Sequence, residues 1–138
     1  MLKTPLFIWI FITIAVIAAL HFSALQFYLY WRFWWFDILT HFLGGLWVGL
    51  SFLWLFFQFG FIDIIKNNKN YNLAVAFSAS LLVGVMWEVF EYYFGIAVTD
   101  ASNYIVDTMT DISFDLIGGF AAYCIFLFKG YNKTELSN

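Results

Sequence analysis

The sequence predicts an all-α integral membrane protein with four transmembrane helices and both termini in the cytoplasm. Three observations carry this prediction. The 138 residues are 64% hydrophobic and 11% charged, with a mean hydropathy of +0.84. A soluble domain is about 45–50% apolar and about 25% charged. Four stretches reach the roughly 20 apolar residues that a helix needs to cross hydrocarbon. The basic residues, finally, gather on one side of the folded-over chain.

The first span covers about residues 5–27, where Thr4 can cap the helix and Pro5 suits its first turn. A cleaved signal peptide is the competing reading, but no polar region follows Ala18 and Ala19, and the chain stays apolar and aromatic through Phe36. The second span covers about 37–62, the third 72–96 and the fourth 107–128. A short turn at 67–70 joins the middle two, and no linker divides the chain, so residues 1–138 form a single domain. With four spans, Lys3, Lys66, Lys69, Lys129 and Lys133 share one side, against Arg32 on the other. Positive charge favours the cytoplasm. Tyr28, Tyr30, Trp31, Trp34 and Trp35 then form an outer aromatic belt, joined by Tyr92 and Tyr93, while Tyr71 and Tyr131 mark the inner interface.

Composition excludes several classes. A net charge of −3 with six scattered Lys and Arg leaves no basic stripe for nucleic acid. Cys124 is the single cysteine, so no intramolecular disulfide can form.

The acidic residues are the informative ones. Of nine, six fall in or at the edge of spans: Asp37, Glu88, Glu91, Asp107, Asp111 and Asp115, with His41 among them. Ionisable groups at a helix centre cost about 2.5–3.5 kcal/mol each on insertion scales. Asp37 and His41 open a descending span, Glu88 and Glu91 close an ascending one, and Asp107, Asp111 and Asp115 open another descending one. All seven converge on the outer half of the membrane. Their spacings of three and four residues put each set on one helix face. At 1.5 Å per residue, Asp115 lies about 12 Å below Asp107, and His41 about 6 Å below Asp37. Two layers are expected: Asp37, Glu91 and Asp107 near the surface, with His41, Glu88, Asp111 and Asp115 deeper. Asp37 and Asp107 could instead act only as helix caps or dipole partners. His21 is expected to pack or hydrogen-bond between helices rather than bind a ligand.

A short internal repeat links two spans. Residues 37–45 (DILTHFLGG) and 111–119 (DISFDLIGG) share four identities in nine positions. A duplicated helix hairpin about an axis along the membrane normal would account for it. The paired glycines, Gly44-Gly45 and Gly118-Gly119, would let helices approach closely.

Six clustered carboxylates cannot all stay ionised without cations, so protons or a bound metal must supply the balance. An oxygen-rich set with one imidazole and no thiol suits a divalent metal, Mg, Mn or Zn. The E-x-x-H pairs of di-iron bundles are absent.

Three motifs appear in order: Phe36, Asp37, His41, Phe42 and Gly45; then Trp87, Glu88, Glu91 and Tyr92; then Asp111, Asp115 and Gly119. Together they resemble the YjdF-like bacterial inner-membrane proteins, with a looser similarity to VanZ-like proteins in the D-x-x-x-H entry to a span. The resemblance covers about residues 36–120. It implies a multi-pass protein of the bacterial inner membrane and names no reaction. Typical members carry further spans, whose residues have no counterpart here.

The expectation for function is metal-dependent hydrolysis or transfer of lipid headgroup or lipid-linked phosphates. Glu88, Glu91, Asp107, Asp111 and Asp115 are the candidate metal ligands. His41 and Asp37 are the candidate catalytic pair, His41 as ligand or general acid–base, and Arg32 is the candidate headgroup contact. Membrane lipid is the expected partner, and a homodimer completing the cavity is compatible with four helices. Two other readings stand beside this one: an ion or proton-coupled transporter, and a non-enzymatic membrane protein binding lipid or antibiotic.

Overall fold

A computed structural model of the chain describes residues 5–59, 68–95 and 103–130. Thr4, Lys3, Lys66, Tyr131 and Lys133, on which parts of the capping and orientation argument rest, lie outside that set. The described residues fold into α1 (Pro5–Phe27), α2 (Leu29–Arg32), α3 (Trp34–Phe59), α4 (Lys69–Phe94) and α5 (Tyr104–Phe128). All but the four-residue α2 are long and apolar enough to cross a membrane.

α1 covers Pro5–Phe27 as the sequence predicts, while α3, α4 and α5 each start about one turn earlier than the sequence reading. Asn68 caps α4, its side chain accepting from the Asn70 and Tyr71 backbone N–H groups. Gly95, at φ 63°, closes the same helix in the left-handed conformation that favours glycine. Because α3 begins at Trp34 and α5 at Tyr104, Asp37 and Asp107 sit inside first turns rather than at caps.

One residue of the predicted aromatic belt turns inward. Tyr28 adopts φ 56°, which bends the chain after α1 and starts α2. Tyr30 is thereby buried against Ala24 and Phe36, while Tyr28, Trp31, Trp34 and Trp35 remain exposed.

The packing is unequal. α3 packs most extensively on α5, α4 lies against both, and α1 packs mainly on α3 and α2, reaching α4 through the His21 ring against Trp87. Glycines explain the tight α3–α5 seam. A Cβ on Gly45 would strike the Asp115 carbonyl oxygen, and one on Gly118 would strike the Phe42 carbonyl oxygen, so the two backbones are in direct contact. His41 and Asp115, at matching positions of the similar segments 37–45 and 111–119 and 74 residues apart, meet in a hydrogen bond of 3.1 Å.

The two ends of the bundle contrast. At one end, Leu50, Leu53, Val75, Ala76, Ala122 and Phe126 form an apolar core. The other end holds His41, Glu88, Glu91, Asp111 and Asp115, all buried. Lys69 and Lys129 begin and follow their helices at the apolar end.

Candidate metal centre

His41 is the centre of the acidic end. It is 4% exposed, and its two ring nitrogens have different surroundings. Nδ1 donates to Asp115 Oδ2 at 3.1 Å. Nε2 faces three carboxylate oxygens: Glu88 Oε1 at 3.6 Å, Asp37 Oδ1 at 3.8 Å and Glu91 Oε2 at 4.0 Å. These separations exceed hydrogen-bonding distance, which ends near about 3.2 Å for N–H···O. They approach the spacing of ligands around a small cation. Two donors each about 2.1 Å from a tetrahedral ion stand about 3.4 Å apart.

The outer oxygens of the glutamates are already held. Thr108 Oγ1 donates to Glu88 Oε2 at 2.8 Å, and Trp87 Nε1 donates to Glu91 Oε1 at 2.8 Å. Each glutamate therefore has one oxygen anchored by a protein donor and the other turned toward His41. Thr40 hydrogen-bonds the Asp37 carbonyl at 2.8 Å, which holds its hydroxyl 3.5 Å from the Asp37 carboxylate. Glu88 Oε1 is buried and has no hydrogen-bond partner among the described residues. A buried orphan oxygen of this kind calls for a water or an ion. Metal ligands are held in this way, with an imidazole donating its second N–H to a carboxylate and ligating carboxylates fixed by hydrogen bonds.

Two groups meet the spatial requirement for holding an ion: Asp37, His41 and Asp111, and His41, Glu88 and Glu91. Within each, one ligand atom per residue lies within 4.8 Å of the others. His41 is shared, so the helices that supply the set are α3, α4 and α5. The expected two layers merge at this residue, since its Nε2 reaches toward both Glu88 and Glu91.

The sequence-predicted residues are not all gathered equally. Asp37, His41, Glu88, Glu91 and Asp111 come together. Asp115 adjoins the cluster through the far nitrogen of His41 and belongs to neither group, and half-buried Asp107 also stands outside both. Arg32 is exposed on α2 and makes no ion pair among the described residues.

Sequence reasoning missed the supporting residues. Trp87 and Glu91 show the i, i+4 spacing that could have revealed their bond. Thr108 is 20 residues from Glu88 on another helix, and no local pattern marks that pairing. Gly84 was also missed: a Cβ there would strike the Asp115 carboxylate, so its hydrogen atom is what leaves room for Asp115 beside His41.

Fold and site together define a class: a multi-pass helical membrane protein with a buried His–carboxylate cluster able to hold a metal ion. More particularly, residues 2–131 match the family described as "Predicted membrane protein (DUF2238)", and the chain belongs to that family of YjdF-like proteins. No curated protein and no solved structure matches the chain, and the looser VanZ-like similarity has no match behind it.

Proposed function

We propose that this protein is a divalent-metal-dependent enzyme of the bacterial inner membrane that hydrolyses or transfers phosphate esters carried by lipids. In this reading His41 Nε2, Glu88, Glu91 and Asp37 hold the ion, Asp111 extends the set toward a second one, and Asp115 orients the imidazole. The observation that carries it is the three carboxylate oxygens turned on one imidazole nitrogen at 3.6–4.0 Å while its other nitrogen is tied to Asp115. A divalent ion held there would polarise a phosphoryl oxygen and make a bound water acidic. Asp107 stands outside this set, and Arg32, exposed among interfacial aromatics, would meet a headgroup phosphate.

The acidic end faces outward and both termini are cytoplasmic, because Lys69 and Lys129 mark the opposite end. The apolar core of Leu50, Leu53, Ala122 and Phe126 below the cluster favours an enzyme over an ion pathway, which would need polar groups through both halves.

The test is elemental mass spectrometry on the detergent-purified protein, wild type against His41→Ala and Glu88→Ala of matched folding. The expected result is one or two divalent ions per chain, lost in both variants, and metal-dependent release of phosphate from lipid phosphate monoesters. If wild type takes up no Mg²⁺, Mn²⁺ or Zn²⁺ when these are supplied, the metal reading fails. If it binds metal yet leaves every lipid phosphate intact, the enzyme reading fails and the metal site stands.

A further inference from the structure

A cavity of about 260 Å³ lies beside the cluster, between α1, α3 and α4 and reaching α5, with His41 and Asp115 in its wall. At the volume of liquid water that is room for about nine molecules. Its shape follows the bundle axis. On α3 the lining runs from Thr40 to Val48, and on α1 from Ile14 to His21. At 1.5 Å per residue these are lengths of about 12 Å and about 10 Å, so the cavity is a slot lying along the direction of a lipid chain.

The slot is graded in polarity. At one end stand His21, Tyr30, Thr40 and His41, with Asp115 against His41, and the remainder is walled mainly by Ile14, Ile17, Trp47, Val48 and Val83, with the Ser80 hydroxyl among them. An aromatic roof covers the polar end. Tyr30, 5% exposed, pairs with His21 Nδ1 at 2.8 Å, and the His21 ring meets Trp87 edge-on with centroids 6.0 Å apart.

Below that roof the backbones of α1 and α4 stand apart. No Cα of α1 comes within 8 Å of one in α4 among the described residues. Ile14, Ile17 and His21 are half-buried and share the face of α1 toward the slot, whereas the flanking Phe11, Val16 and Phe22 are exposed. Since α1 and α4 are membrane-crossing helices, the gap between them opens on hydrocarbon. An apolar cavity does not hold water well, and one reached from lipid fills with what the lipid supplies.

We propose that this slot binds the hydrocarbon chain of a membrane lipid, admitted sideways between α1 and α4, with the polar end of that lipid directed to Thr40 and His41. The inference rests on the lipid-directed reading of the site and specifies it: the substrate is an amphiphile already dissolved in the bilayer, recognised by its chain as well as by its headgroup. The metal cluster would meet it from the α3 wall, through His41. Specificity for chain width follows from Ile17 on α1 and Val83 on α4, which both line the slot.

The experiment uses the full chain in nanodiscs containing phosphatidylglycerol with a diazirine on one acyl chain. After irradiation, the labelled residues are mapped by peptide mass spectrometry and bound metal is measured on the same sample. Label concentrated on Ile14, Ile17 and Val83 is expected, lost in Ile17→Trp and Val83→Trp while metal content holds. Label spread evenly over the outward-facing Phe11, Phe22 and Val89, without excess in the slot, overturns the proposal even if neither variant folds. Metal bound with the slot unlabelled removes the slot alone. A labelled slot in a protein that binds no metal keeps the slot and removes the metal reading.

Discussion

Replacing Asp115 with asparagine separates two roles that a carboxylate beside a histidine can play. Asp115 accepts from His41 Nδ1 at 3.1 Å in a buried site, and it lies outside both groups able to hold an ion. Asparagine keeps the shape and an acceptor oxygen but removes the charge. A hydrogen bond to a charged group contributes about 1.5–3 kcal/mol, a neutral one about 0.5–1.5. The loss is therefore about 1–1.5 kcal/mol, which is about tenfold in affinity at 1.4 kcal/mol per decade. Removal of such supporting groups elsewhere costs about 10–100-fold. Competition against a chromophoric chelator in detergent, near neutral pH, measures this directly. Asp115→Asn should weaken metal binding about tenfold with unchanged stoichiometry, whereas His41→Ala should abolish it. Complete loss in Asp115→Asn would make Asp115 a ligand in its own right, and unchanged affinity would mean the imidazole needs no orienting partner. Either result refutes the reasoning.

Other consequences can be measured in the same preparations. Gly118→Ala drives a methyl group into the Phe42 carbonyl, so thermal melts should show a loss of about 1–3 kcal/mol or more, with weakened metal binding as the seam opens. Burial pushes the Tyr30 hydroxyl up to about 12 from its ordinary 10.0. The folded state then retains a proton that the unfolded chain releases, so stability is full below pH 10, falls as pH rises toward about 12, and is flat beyond. Tyr30→Phe should flatten that alkaline decline, as read from melts across the range. Thr108→Val leaves Glu88 Oε2 without its donor and should reduce metal affinity about tenfold, seen in the same chelator competition. Metal added at about a hundred times its dissociation constant should stabilise the wild-type fold by about 2.7 kcal/mol, and His41→Ala should show none of this shift.

Much of this architecture was legible because a bilayer tolerates few solutions. Long apolar runs must become helices, and charged residues inside them must find each other. Asp37, His41, Glu88, Glu91 and Asp111 could thus be grouped by following each span's direction through the membrane. What spacing could not supply was the azimuth of each side chain to within an ångström. Asp115 sits on the same helix ladder as Asp111, yet Gly84 and Gly45 draw it past the imidazole to the other nitrogen. Asp107, one turn above Asp111, stays outside the ligand groups. Tyr30 read as one more interfacial aromatic, because the left-handed turn at Tyr28 that buries it leaves no mark in composition.

The meeting of His41 with Asp115 has a consequence for how such a site can arise. These residues occupy matching places in two similar nine-residue segments, 74 residues apart, and they touch. Two separate identical hairpins pairing in this way would have to offer the same side chain twice. Two aspartates would repel, and two neutral histidines would bring no charge to steady a cation. Carrying both copies on one chain lifts that restriction, because each copy can drift without the other. Placed on one chain, the two segments present a donor and an acceptor, rather than a pair of twins, at the point where they face each other.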